Sequence, residues 1–126
     1  MKERKKYNSD VATIHWDNRG FFLFEMKNTN AEYGAQETIN QFDYFITESE
    51  GKPYKVVVDT NKSLILPTND SFEYFFKHNK DRNKIAVVAT QLPMQLIMKF
   101  MYKYKNIKNT KLFRCREEAI NWITSD

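Results

Sequence analysis

The stretch Pro53-Tyr54-Lys55-Val56-Val57-Val58-Asp59-Thr60 decides the fold of this 126-residue chain. Three consecutive β-branched residues leave no polar face, which is the pattern of a strand covered on both sides, as parallel strands are. The strand closes on an acid, Asp59. In open α/β sheets the carboxyl ends of the strands are where ligands and partners bind. A polar loop follows, and Thr68-Asn69-Asp70-Ser71 then supplies the hydroxyls, amide and acid of a helix start.

Upstream, Val11–Trp16 and Gly20–Met26 read as two strands joined through Asp17-Asn18-Arg19-Gly20, residues suited to a hairpin turn. Thr29-Asn30-Ala31-Glu32 has the form of a capping box. Beyond it Ala35, Ile39, Phe42 and Ile46 recur at helical spacing, with Phe45 widening the stripe. Gly51 and Pro53 end that helix. Downstream, Asn69–His78 is a short helix with Phe72, Phe75 and Phe76 on one side, and Lys84–Ala89 is a second buried strand. Gln91–Tyr104 reads as a third helix that tolerates Pro93 in its first turn. Lys111–Phe113 is a short strand, and Cys115-Arg116-Glu117-Glu118 opens a last helix that buries Ala119, Ile120, Trp122 and Ile123. The order β-β-α-β-α-β-α-β-α implies an α/β fold with a mixed, mostly parallel sheet reached by right-handed crossovers. Residues 1–10 are expected to be frayed and residues 11–126 to form a single domain.

Apolar residues make up 41% of the chain and aromatics 15%, enough to build a core and to exclude general disorder. No apolar run approaches the ~20 residues of a membrane span. The basic first residues have no apolar segment behind them, so they do not read as a secretory signal. The single cysteine, Cys115, cannot form an internal disulfide, and a reducing, cytoplasmic setting is expected. The net charge of +4 is uneven: Met94–Arg116 holds seven basic residues and no acid. Without glycine-aromatic motifs or zinc-ligand spacing, a solvated basic face explains this better than nucleic-acid binding, which is not expected.

The span from Val11 to Thr124 resembles a STAS domain, the fold of the bacterial anti-sigma-factor antagonists, and more narrowly the small stand-alone SpoIIAA-like proteins. Three stretches carry the resemblance: Val56-Val-Val-Asp59 leading to a helix near Thr68, Ile85-Ala-Val-Val-Ala89 before an apolar helix, and the strand-then-helix ending Lys111–Ile123. It implies a sheet with its helices chiefly on one face and a non-catalytic module that binds a protein partner. In the phosphorylatable antagonists the loop after the central strand ends in Asp-Ser-Ser-Gly. Here that place holds Pro67-Thr68-Asn69-Asp70, without either serine or the glycine. Thr68 and Ser71 are the hydroxyls left for a phosphoryl group, and Asp70 and Glu73 would oppose one there. The resemblance thus points to partner binding by Asn61, Lys62, Thr68, Asn69, Asp70 and Ser71, with little phosphorylation control.

The helix Met94-Gln-Leu-Ile-Met-Lys-Phe-Met-Tyr-Lys-Tyr104 supplies a second candidate. Met94, Ile97, Met98, Met101 and Tyr104, with Leu96 and Phe100, make it apolar well beyond a single core face. The surplus is either a wide core stripe, a homodimer interface of adaptable methionines, or cover for a lipid or small apolar ligand. Lys99, Lys103 and Lys105 would suit an anionic membrane surface. Enzyme chemistry is not expected, and neither is a cofactor or metal. His15 and His78 have no second ligand at metal spacing, and there is no nucleophile elbow or phosphate-cradling glycine loop. Cys115 reads as an N-cap residue; the helix start and the flanking Arg114 and Arg116 would favour its thiolate, and Glu117 and Glu118 partly cancel that.

Overall fold

The computed structural model describes residues 4–63, 65–80, 82–105 and 109–125, with side chains described as far as Lys99 in the helix that runs to 105. The described residues form β1 (Tyr7–Asn8), β2 (Ala12–Asp17), β3 (Phe21–Met26), α1 (Ala35–Glu48), β4 (Lys55–Asp59), α2 (Asn69–His78), β5 (Lys84–Val88), α3 (Leu92–Lys105), β6 (Thr110–Phe113) and α4 (Arg116–Thr124). The six strands lie side by side in chain order. β1, β2 and β3 pair antiparallel, and β3, β4, β5 and β6 pair parallel.

Chain order across the sheet fixes where the helices go. Parallel strands laid down one after another by right-handed crossovers place every crossover helix on the same face. Accordingly α1, α2 and α3 share one face. There Phe22, Phe24 and Val56 pack with Phe45, and Ile85 and Val87 pack with Met94, Met98, Phe72 and Phe75. α4 follows the last strand and is free of that rule. It folds back under the other face, where Ala119 and Ile123 meet Phe21, Leu23, Val57, Ala86 and Val88. The run Val56-Val57-Val58 is apolar throughout because its alternate residues enter these two separate cores.

Both ends of α4 are pinned. Arg116, its first residue, bonds carboxylates on β3 and β4. At the other end Lys84 Nζ donates to the carbonyls of Trp122 (2.6 Å) and Ser125 (3.0 Å) and lies 4.4 Å from the Trp122 ring centroid. A cation at the carbonyl end of a helix is favoured by its dipole.

The hairpin forms as its turn residues predict. Gly20 N–H donates to Asp17 O at 3.0 Å, and Gly20 takes φ +102°, a conformation that favours glycine. Arg19 Nε also donates to Asp17 Oδ1 at 2.9 Å, and the Arg19 guanidinium lowers the Asp17 pKa to about 2.

Three expectations are corrected. The first ten residues are not wholly frayed: Tyr7–Asn8 forms an edge strand on β2. That edge is held by side chains, with the Arg4 guanidinium 4.1 Å from the Trp16 ring centroid and Tyr44 donating to Lys5 O at 2.5 Å. Thr29–Glu32 is not a capping box. Thr29 Oγ1 accepts from Ala31 N–H at 3.1 Å, and α1 begins only after Gly34, which gives no side-chain cap. The reason is tertiary: Tyr33 is buried in the core, and its carbonyl accepts from Thr68 N–H at 2.9 Å, which ties this segment to the start of α2. Finally, α1 buries Thr38, Gln41, Phe42 and Phe45, while Ile46 is 53% exposed. The polar pair is admitted because both side chains find partners inside.

Candidate ligand cavity and the carboxyl edge of the sheet

Between the sheet and α1, α2 and α3 lies an apolar cavity of about 130 Å³. Its floor is Val56, Val58, Ile85 and Val87; Phe42 and Phe45 of α1, Phe72 and Phe75 of α2, and Met94 and Met98 of α3 cover it in part and leave it partly open to solvent. The residue types explain the void. Phe42 of α1 packs edge-on to Tyr74 of α2 at 5.6 Å and lies 6.1 Å from Phe75, while Phe45 stacks on Tyr54, just before β4, at 5.1 Å. Short valines beneath them cannot reach up to fill the remainder. Interiors of folded domains rarely leave spaces larger than a water molecule.

Polar side chains line part of the cavity, and most are committed. The Tyr33 hydroxyl donates to Gln41 Oε1 at 2.5 Å, and Gln41 Nε2 donates to Glu37 Oε2 at 2.8 Å. That same Glu37 oxygen accepts from Tyr7 (2.6 Å) and Ser9 (2.9 Å), which ties α1 to the edge strand. Thr60 Oγ1 donates to Val88 O at 2.9 Å. Thr38 Oγ1 donates to Gly34 O at 3.2 Å and lies 2.5 Å from Ser71 Oγ, so Ser71 is the donor of that pair. Burial raises the pKa of the Tyr33 phenol well above the usual value and pushes Tyr54 up to about 12. Asn79 differs from the others. Its Oδ1 is buried and has no hydrogen-bond partner among the described residues.

At the carboxyl edge of the sheet the residues expected to meet a partner have separate fates. Asn61 is used internally: its Oδ1 accepts from Thr90 N–H (2.9 Å) and Thr90 Oγ1 (3.1 Å), and its carbonyl accepts from Gln91 Nε2 (3.4 Å). It clasps the loop after β4 to the start of α3. Ser71 is only 3% exposed and bonded to Thr38, which corrects its place among surface contacts and phosphorylation candidates. Thr68 is the N-cap of α2: its Oγ1 accepts from Ser71 N–H at 3.4 Å and donates to Asp70 Oδ1. Lys62, Asn69 and Asp70 are exposed.

On α3, Met94 and Met98 are buried and line the cavity, and Ile97 packs beside them half-buried. The Met101 and Tyr104 side chains lie outside the described residues. Leu92 and Leu96, one turn apart, are 62% and 55% exposed. Cys115 is the N-cap of α4 without a side-chain cap bond, and it is exposed.

Sequence reasoning missed an ion-pair group at this edge. Glu25 and Asp59 are direct partners on β3 and β4, an arrangement in which like charges repel. Arg116 resolves it. Its Nη2 donates to Glu25 Oε2 at 2.8 Å and to Asp59 Oδ2 at 2.7 Å, and its Nε donates to Asp59 Oδ2 at 2.9 Å. Partial burial opposes the guanidinium charge, but the two carboxylates outweigh it and raise the Arg116 pKa. Asp59 Oδ1 also accepts from Asn61 N–H at 2.9 Å. The strand-end acid is therefore a structural anchor bonded to a loop amide.

Among the described residues there is no cluster of three His, Cys, Asp or Glu side chains able to hold a metal, and no helix long and apolar enough to cross a membrane. No protein-family model matches the sequence, nor does any curated protein sequence. The structure is similar to that of an uncharacterized protein of the DUF3478 family from Shewanella loihica PV-4, described as having a SpoIIAA-like fold. The two share 11% sequence identity over 98% of each chain, with a TM-score of 0.63. At that identity the likeness concerns architecture, and it agrees with the sheet order and helix placement above: the chain has a SpoIIAA-like fold.

Proposed function

We propose that this chain is a non-catalytic regulatory module that takes a small apolar molecule into the cavity beneath α1, α2 and α3. The cavity itself carries this reading. A sealed void of about 130 Å³ would remove about 3 kcal/mol of stability at about 24 cal/mol per Å³; this pocket is partly open to solvent, so that figure is a ceiling, and an occupant of matching shape restores part of it. The lining has the composition of small-molecule sites, aromatic and aliphatic with few polar groups. Binding to the folded state alone raises stability by about 2.7 kcal/mol at a hundredfold excess over Kd. Thermal unfolding of the purified chain against a graded set of benzene, toluene and cyclohexane tests it. A saturable rise in Tm that follows ligand size is expected, and unchanged unfolding with every compound would refute it.

A second reading, docking of a partner at the carboxyl edge, is favoured by the exposed leucines. Leu66, Leu92 and Leu96 are three of the four large apolar side chains exposed among the described residues. The Asn61 clasp ties the loop that carries Leu66 to the start of α3. Isolated exposed leucines are ordinary, and a group on adjoining segments marks contact sites. The occupant we favour is a second copy meeting Leu92 and Leu96. Light scattering of the wild type against Leu96→Glu decides it, and Leu96 is the right probe because Met98 faces inward. A monomer at every concentration would remove this reading.

A further inference from the structure

We infer that Trp16, Phe22, Tyr44 and Glu48 form a recognition site for an arginine-bearing extended segment of a protein partner, and that the chain's own Arg4 and Lys5 occupy it in this structure. None of these residues lines the cavity, so the site stands apart from the ligand-binding reading above. Trp16 on β2 faces Phe22 on β3 as its direct strand partner, and the two rings meet edge-on at 5.0 Å. Phe22 in turn lies edge-on to Tyr44 of α1 at 5.8 Å. The Arg4 guanidinium sits 4.1 Å from the Trp16 ring centroid and 5.7 Å from that of Phe22. A guanidinium within about 6 Å of an aromatic ring is drawn to its negative face.

The end of α1 completes the site. Arg4 Nη1 donates to the carbonyl of Glu48, the last residue of that helix. The last turn of α1 holds no basic residue of its own, so the negative end of its dipole takes a cation from elsewhere in the chain. A guanidinium meets both demands at once, with a flat face for the rings and N–H groups for the carbonyl. The main chain beside it is held as well. Lys5 N–H donates to Glu48 Oε1 at 2.9 Å, and Lys5 O accepts from the Tyr44 hydroxyl at 2.5 Å. Lys5 is exposed, so these contacts select an arginine and the backbone of the residue after it.

The chain's own segment is a replaceable occupant. Residues 4–6 belong to no strand, and β1, which follows them, is only two residues long. The contacts that hold Arg4 and Lys5 lie near the surface, where cation–π and polar pairs are individually weak. An arginine presented by a partner makes the same contacts and adds those of its own surroundings. The Glu48 carboxylate and the carbonyl end of α1 repel anions, which sets phosphate groups and acidic segments aside.

Titration of acetyl-arginyl-lysine amide into the wild-type chain and into Arg4→Ala, followed by the chemical shift of the Trp16 indole N–H, tests the inference. The vacated site in Arg4→Ala is expected to bind roughly tenfold more tightly than the wild type, in which the tethered segment competes. The same peptide with citrulline in place of arginine keeps the shape and the N–H groups without the charge, and it is expected to bind roughly tenfold more weakly. Equal binding by the wild type and Arg4→Ala would overturn the inference, as would equal binding of the citrulline peptide. No binding to Arg4→Ala would reduce the arrangement to a clasp for the chain's own first residues. Loss of the fold in Arg4→Ala would overturn it too, by making the segment integral. In the wild type the Lys5 amide is expected to exchange its hydrogen far faster than the amides of β4, and exchange as slow as theirs would show the segment locked in place.

Discussion

Val56 and Val87 sit on the cavity floor, on strands β4 and β5. Replacing each with isoleucine adds one methylene directed at the space beneath the aromatic rings. In a fully packed core such an addition costs about 1–3 kcal/mol, because neighbours must leave their rotamers. Over a real void it gains the transfer energy of the added group, about 0.8 kcal/mol each. The ceiling is the cavity term, about 3 kcal/mol for 130 Å³. Val56→Ile and Val87→Ile together are thus expected to add about 1–1.5 kcal/mol. The two positions are not direct strand partners, since Val56 faces Ile85 and Val87 faces Val58, so near-additivity is expected. Urea unfolding followed by the fluorescence of Trp16 and Trp122 reads this as a higher midpoint at unchanged m. The same pair should weaken benzene binding, because it occupies the ligand's volume. Destabilisation by either single substitution, at unchanged m, would refute the cavity and the function built on it.

Arg116→Met leaves Glu25 and Asp59 facing each other without a cation; about 1–2 kcal/mol of lost stability is expected after allowing for the partial exposure of all three. Adding Asp59→Asn to that variant should recover part of the loss in urea unfolding, and simple additivity would contradict the coupled arrangement. Ser71→Asp places a charge where Ser71 now meets Thr38, and it is expected to cost about 2–4 kcal/mol. A variant as stable as wild type would restore Ser71 as a phosphorylation candidate. Tyr54 has a folded-state pKa of about 12 against about 10 unfolded. Between these values the unfolded chain has lost the proton and the folded chain keeps it, so stability is complete below pH 10 and falls as pH rises towards 12. That single group accounts for roughly 2–3 kcal/mol, and Tyr54→Phe should make the alkaline limb of a urea-midpoint profile shallower, the remainder coming from Tyr7, Tyr33 and Tyr44, whose pKa values burial also raises.

Elements with strong local patterns were readable from the sequence. β4 and β5 announced themselves through β-branched runs between polar loops, and the hairpin through Asp17-Asn18-Arg19-Gly20. Even the helix placement follows from strand order and crossover hand. Thr29–Glu32 misled because a capping box is a local signal, and here the burial of Tyr33 overrode it. Ser71 looks exposed in any linear reading, since only the packing of α1 on α2 buries it. Glu25, Asp59 and Arg116 are far apart in sequence, and nothing local joins them. The cavity was the least readable feature. It is a difference of volumes between facing surfaces, and no residue pattern encodes a difference. Asn79 looks like any polar residue closing a helix; only its unpaired oxygen distinguishes it.

The placement of α4 has a consequence for how the protein is made. Phe21, Leu23, Val57, Ala86 and Val88 are covered by a helix that is synthesised after every strand of the sheet. At about 5–20 residues per second, the apolar underside of the central strands exists uncovered for seconds after β3 emerges. During that interval the nascent sheet presents a sticky face to chaperones or to other nascent chains. The Arg116 and Lys84 clamps then fasten the cover at both ends in one closing step. Substitutions that loosen α4 should therefore lower the yield of folded protein in the cell more steeply than they lower its equilibrium stability.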